Sequence, residues 1–257
     1  MKQLYILTGA SRGMGLAMAR QLLAPQHRLL CISRQQDAGL QGEADARSCF
    51  LIQWSQDLSD TTVAAARLEQ WLDQQDARTL SGATLINNAG VIPAIGPIEL
   101  CPPEQLSTAL RVGLEAPMQL TAAFLRASGR WVGSGWSGPR KVLNISSGLG
   151  RYPMAAQAPY CAAKAGLDHF TRCTALDEQQ HPRGARLVSL APGVIDTDMQ
   201  VQLRSGDPAL FPDRQRFLDL QSQGALSSPE AAAARVLAWL DRPEFGANPV
   251  ADVRDSA

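Results

Sequence analysis

The sequence predicts an α/β fold: one doubly wound parallel sheet with helices on both faces. Three observations carry that expectation. Short apolar runs alternate with longer helical stretches along the chain, and strands buried on both faces read as near-continuous apolar runs. A glycine-rich segment, Thr8-Gly9-Ala10-Ser11-Arg12-Gly13-Met14-Gly15, falls where the first run gives way to the first helical stretch. The 257 residues, 45% hydrophobic and 19% charged, suit a single domain over 1–257 whose core needs no staple.

The elements follow in order. Leu4-Tyr5-Ile6-Leu7-Thr8 reads as the first strand, and the glycine-rich turn opens a helix over 14–23. Apolar runs predict strands at 28–33, 48–53, 83–87, 141–146 and 185–191, with a short last strand at 249–253. Helical spacing predicts helices at 60–75, 103–127, 159–180 and 229–241. Two stretches break the alternation. Residues 127–140 hold Gly129, Gly133, Gly135, Gly138 and Pro139 with Trp131 and Trp136, which reads as an irregular surface loop. Residues 196–228 follow a strand end, where doubly wound sheets place ligands, and are expected to form a substrate lid.

Composition excludes several functions. Lys+Arg and Asp+Glu each total 24, so charge alone would grip neither nucleic acid nor an acidic membrane. No run approaches the roughly 20 apolar residues of a membrane span, and the first residues lack a signal-peptide pattern. The five cysteines are scattered without a CxxC pair, and there are three histidines. A disulfide framework and a metal site are therefore not expected, and the expected setting is cytoplasmic.

The glycine-rich turn offers a phosphate site, because a helix start presents unpaired N–H groups and positive dipole potential. Its residues Gly9, Ser11, Arg12, Gly13, Met14 and Gly15 are candidate cofactor contacts. The spacing is Gly-xxx-Gly-x-Gly, unlike Gly-x-Gly-xx-Gly, and no Gly-Lys-Ser/Thr follows. The second strand ends Cys31-Ile32-Ser33-Arg34 without the acid that would accept from an NAD ribose. Arg34 and Arg12 suit a 2′-phosphate instead, which predicts NADP(H) over NAD(H).

Tyr160 and Lys164 stand at i and i+4 on one expected helix face. An ammonium near a phenol favours its ionised form and brings it within reach of proton transfer. Ser147, at the end of the expected 141–146 strand, is placed to hold a substrate oxygen. A serine hydrolase fits poorly: Asn144-Ile145-Ser146-Ser147-Gly148 is no Gly-x-Ser-x-Gly elbow. His169 and His181 read as structural or solvent-facing rather than as a base.

Together with Asn87-Asn88-Ala89-Gly90 and Ala191-Pro192-Gly193, these motifs resemble the short-chain dehydrogenase/reductase family over nearly the whole chain. The resemblance implies a Rossmann-type domain and hydride transfer between a nicotinamide and a carbonyl or alcohol. It implies Tyr160 as general acid/base, Lys164 as modifier of its pKa and ribose ligand, and Ser147 as orienter of the substrate oxygen. It also implies cofactor contacts from Asp57, Leu58, Asn88, Ala89, Gly90, Pro192, Gly193, Ile195 and Thr197, with Asn87 tying strands together. Tyr160–Asp168, Pro192–Gln200 and the 211–230 stretch look closest to the sepiapterin reductase-like branch, which includes bacterial benzil reductases. That branch implies reduction of vicinal dicarbonyls. Asp252 falls where sepiapterin reductases anchor a pterin, though a solvated tail acid reads as the simpler role. Gly113 stands where many members carry a relay asparagine. The family commonly pairs its fourth and fifth helices between subunits, which implies a homodimer acting on a small-molecule carbonyl. The rival readings are a regulatory protein that senses NADP(H) without turnover and a nucleotide-sugar epimerase or dehydratase.

Overall fold

The computed structural model describes residues 1–255; Ser256 and Ala257, the end of the expected domain, lie outside the described residues. Its centre is a seven-stranded sheet in the order β3-β2-β1-β4-β5-β6-β7, with every pairing parallel. The strands are β1 Lys2–Thr8, β2 His27–Ser33, β3 Phe50–Ser55, β4 Leu80–Asn87, β5 Arg140–Ile145, β6 Arg186–Ala191 and β7 Val250–Asp252. The helices are α1 Gly13–Leu22, α2 Ala38–Ala46, α3 Thr61–Asp73, α4 Pro103–Leu110, α5 Ala116–Gly133, α6 Ala158–Gln179, α7 Asp198–Arg204, α8 Arg214–Ser222 and α9 Pro229–Leu240.

Strand geometry explains the continuous apolar runs. Successive side chains point to opposite faces, so Leu4 and Ile6 join the core under α3 and α5 while Leu7 joins the core under α1 and α9. In β2, Leu30 and Ile32 serve one face, Leu29 and Cys31 the other. The chain runs outward through β2 and β3, then returns to β4 on the other side of β1. That reversal opens a crevice at the carboxyl ends of β1 and β4, where such sheets bind ligands.

Several expectations need correction. Residues 127–140 are a surface loop only over 134–139. Helix α5 continues to Gly133, and its Trp131 is buried with Trp136 packed edge-on at 5.5 Å. Trp136 Nε1 donates to the Leu80 carbonyl at 2.9 Å. A helical glycine costs about 1 kcal/mol relative to alanine, less than a buried tryptophan returns. The helix expected over 103–127 is present without a gap and runs on to Gly133, but a π turn at Arg111–Glu115 separates it into α4 and α5. The third strand starts at Phe50, beyond Ser48, whose φ of 52° is left-handed. Helix α2 was not foreseen. It anchors through Leu40 and Ala44 alone, and its signal is the Asp37 cap, which accepts from Leu40 N at 2.6 Å.

Candidate active site

The glycine turn is built by close approach. A Cβ on Gly15 would lie 2.0 Å from the Gly9 carbonyl oxygen, so only glycine lets α1 start this close to the turn. Gly9 itself has φ +70°. Thr8 Oγ1 accepts from the backbone N–H groups of Asn88 and Ala89 at 2.9 and 3.0 Å. Asn88 Nδ2 donates back to the Thr8 and Gly9 carbonyls. The amide of Asn88 is thus engaged in tying the turn to the end of β4. Asn87 does tie strands, donating to Asn144 Oδ1 at 2.8 Å and to Thr121. Helix α1 has no side-chain cap at Arg12, which leaves its first N–H groups turned to the crevice. The uncapped end and the glycine cradle fit a dinucleotide pyrophosphate.

Around this turn lies a cleft of about 1930 Å³, larger than the 300–1,000 Å³ typical of a single small-ligand site. It gathers Gly9, Ser11, Arg12, Gly13, Met14, Gly15, Arg34, Asp57, Leu58, Asn88, Ala89 and Gly90 along one side. Ser147, Tyr160, Lys164, Pro192, Gly193, Ile195, Thr197 and Asp252 line it as well. Arg34 is exposed at the end of β2 and faces Asp57, whose carboxyl is held below its ordinary range mainly by hydrogen bonds from Ser59. Arg12 Nη1 donates to Asp198 Oδ2 at 3.1 Å.

Ser147 follows β5 and caps a 3-10 turn at Gly148–Gly150, its Oγ accepting from Leu149 N at 3.2 Å. Tyr160 and Lys164 share one face of α6, and both are buried. Lys164 Nζ donates to the Ile145 carbonyl at 2.8 Å and lies 5.7 Å from the Tyr160 ring centre. Burial pushes the Tyr160 phenol up to about 12, partly offset by a hydrogen bond with Ser147. This is opposite to the lowering expected from the sequence, because burial outweighs the hydrogen bond from Ser147. Burial pulls Lys164 down to about 8, against the opposing pull of Asp168.

Asp252 is not a solvated tail acid. It is 7% exposed at the end of β7, and Arg254 donates to both its oxygens at 2.7 and 2.6 Å. That pairing holds its carboxyl below the usual range. Residues 196–228, expected to form a lid, contain α7 and α8 over a small core of Leu203, Phe211 and Phe217. Sequence reasoning missed Arg151, Tyr152, Met154 and Phe217 as cleft residues. It also passed over Asp168, although i+4 spacing from Lys164 places it on the Tyr160 face. At Gly113, a Cβ would lie 3.1 Å from Ala163 Cβ, so glycine lets the π turn press against α6.

The short-chain dehydrogenase family model matches residues 3–208. The (S)-benzoin-forming benzil reductase of Bacillus cereus is 35% identical over 240 residues, covering 93% of this chain and 94% of that protein. Sepiapterin reductase of Xenopus tropicalis is 31% identical over 255 residues, covering 94% and 92%. A crystal structure of a short-chain dehydrogenase/reductase from Burkholderia vietnamiensis matches with TM-score 0.63 at 31% identity, over 100% of both chains. The chain therefore belongs to the short-chain dehydrogenase family of oxidoreductases, on the branch that holds the benzil and sepiapterin reductases.

Proposed function

We propose that the protein is an NADPH-dependent carbonyl reductase for vicinal dicarbonyls, with Tyr160 as proton donor. The observation that carries this reading is the burial of Tyr160 and Lys164 side by side, next to Ser147 and across the cleft from the glycine turn. When bound, the reduced nicotinamide supplies the hydride. Ser147 and Tyr160 donate hydrogen bonds to the substrate oxygen, stabilising the negative charge that develops there. Tyr160, protonated across the working pH range, then delivers its proton to that oxygen. Lys164⁺ stabilises the phenolate left behind and holds the ribose. Its charge stands below about pH 8, so reduction falls as pH rises through that value. Arg34, with Arg12, supplies the preference for a 2′-phosphate.

The domain spans the chain and acts as a homodimer through α5 and α6, on which Met118 and Leu176 are exposed apolar side chains. The five unpaired thiols suit a reducing cytoplasm, and no helix among the described residues is long and apolar enough to cross a membrane.

The test is NADPH oxidation by the purified protein with a panel of 1,2-diketones. Tyr160→Phe keeps the ring and removes the transferable proton. We expect a loss in kcat of roughly 10²–10⁴-fold, the usual yield of general acid catalysis, with NADPH affinity within a few-fold. A variant as fast as the wild type ends the proton-donor assignment. No turnover of any carbonyl by the wild type ends the reductase reading and favours a sensor of NADP(H).

A further inference from the structure

One buried carboxylate beside this site has no role in the reaction as described. Asp168 lies on α6 one turn beyond Lys164 and is 1% exposed. Three different elements reach it. Ser146, next to Ser147, donates to Oδ1 at 2.5 Å, and Ser189 on β6 donates to the same oxygen at 2.6 Å. Arg151, on the turn after Ser147, brings its Nε to 3.3 Å from Oδ2. Burying a carboxylate is costly unless charge and hydrogen bonds compensate. Two serines alone would compensate less than an arginine does, and Arg151 is also held by the Ala251 carbonyl at 2.8 Å. The turn is seated tightly: a Cβ on Gly150 would lie 3.0 Å from both Asp168 Oδ2 and the Lys164 carbonyl oxygen.

Resting on the carbonyl reductase reading, we propose that Asp168 is a positioning residue that holds Lys164 in its charged form and pins the turn carrying Ser147. Lys164 is buried and donates to a single carbonyl, that of Ile145. The charged and titratable groups around it are few. Tyr160 and Asp168 share its helix, Arg151 comes from the turn after β5, and Asp252 with Arg254 stands behind Arg151 at the end of β7. Asp168 is the anion nearest in sequence on the same helix face, and the direction of its pull on Lys164 agrees. Ser146 and Arg151 bracket the Ser147 turn, so one carboxylate links the position of the serine to the charge of the lysine.

The test is the pH dependence of kcat/KM with a 1,2-diketone, alongside NADPH affinity followed by nicotinamide fluorescence over the same range. In Asp168→Asn the alkaline limb should move down by about one pH unit or more, because the buried ammonium loses its opposing charge. Ser189→Ala keeps the carboxylate and should lower the rate without moving the limb. Arg151→Gln removes the cation paired with Asp168, leaves the carboxylate's charge less compensated beside Lys164 and should move the limb upward. An Asp168→Asn profile lowered equally at every pH, or unchanged, overturns the proposal. Should that variant fail to fold, an Arg151→Gln limb that stays put overturns it instead. A wild type that binds NADPH but reduces no carbonyl sinks the reductase reading alone. The pH dependence of NADPH affinity in the same variants then decides the role of Asp168, and coincident wild-type and variant curves count against it.

Discussion

Two strand-to-helix junctions at the same sheet edge are built on opposite principles. Between β1 and α1 the chain turns in the four residues Gly9–Arg12, seated against Asn88 and Ala89 by backbone approach. After β6 it wanders through α7 and α8 before entering α9, held by a satellite core in which Phe211 stacks on Phe217 at 5.7 Å. The first junction has no room to vary, because its fit is main chain against main chain. The second is fixed by a few side chains and can be remodelled without disturbing the sheet. In the proposed reading of 196–228 as a substrate flap, a rigid turn faces an adaptable flap, and one fold can keep its redox chemistry while changing substrate. Arg12 with Asp198, and Gly13 against Thr197, are where the two meet.

The most damaging single change to the rigid side is Gly15→Ala. Its Cβ would fall 2.0 Å from the Gly9 oxygen and 2.5 Å from Asn88 Nδ2. The turn must open, and the Asn88 bonds to Thr8 and Gly9 go with it. We expect NADPH affinity to drop by about 100-fold or more and stability to fall by about 2–4 kcal/mol, as for strain plus a broken buried network. Titration and thermal melting measure both. A variant with wild-type binding would show that the turn adapts as freely as the flap does.

On the adaptable side the matching change is Phe211→Ala. Phe211 is 1% exposed, and phenylalanine-to-alanine changes in cores cost about 3–5 kcal/mol. Here that loss falls on a satellite cluster, so local opening takes it up rather than global unfolding. Expected are protease cleavage within 196–228 and a several-fold rise in KM for the carbonyl, with NADPH affinity within about twofold. A large fall in NADPH affinity would mean the flap is part of the cofactor site and the contrast is false.

The same contrast governs what was legible in the sequence. The sheet class and the strand positions along the chain followed from apolar runs whose cause is period-two burial, as Leu4, Ile6 and Leu7 illustrate, whereas the strand order emerged only in the folded sheet. The glycine turn and the Tyr160–Lys164 pair were visible because their spacing is local. Asp168 and Arg151 were not singled out, because their meaning depends on Ser146, Ser189 and Ala251 arriving from other elements. Glycine count misled at 127–140, where Trp131 burial overrides propensity. The direction of the Tyr160 shift was misjudged for a related reason: spacing reports a neighbouring charge, while burial is a property of the assembled fold.

The smallest expected effect lies at the contact between the two junctions. Arg12 and Asp198 are 67% and 75% exposed, and such surface pairs contribute about 0–1 kcal/mol. Asp198→Asn should therefore shift the melting temperature by no more than about 2–4 °C. Its consequence for the cofactor is more informative. Asp198 holds the same guanidinium that a 2′-phosphate would use, so removing its charge frees Arg12 for that phosphate. NADPH affinity should rise by about two- to fivefold at low salt, NADH affinity should stay constant, and the gain should fade as screening increases. Equal gains for both dinucleotides would make the pair a latch between turn and flap, indifferent to the phosphate. No gain for either would leave Arg34 as the sole arginine of the two with a claim on the 2′-phosphate.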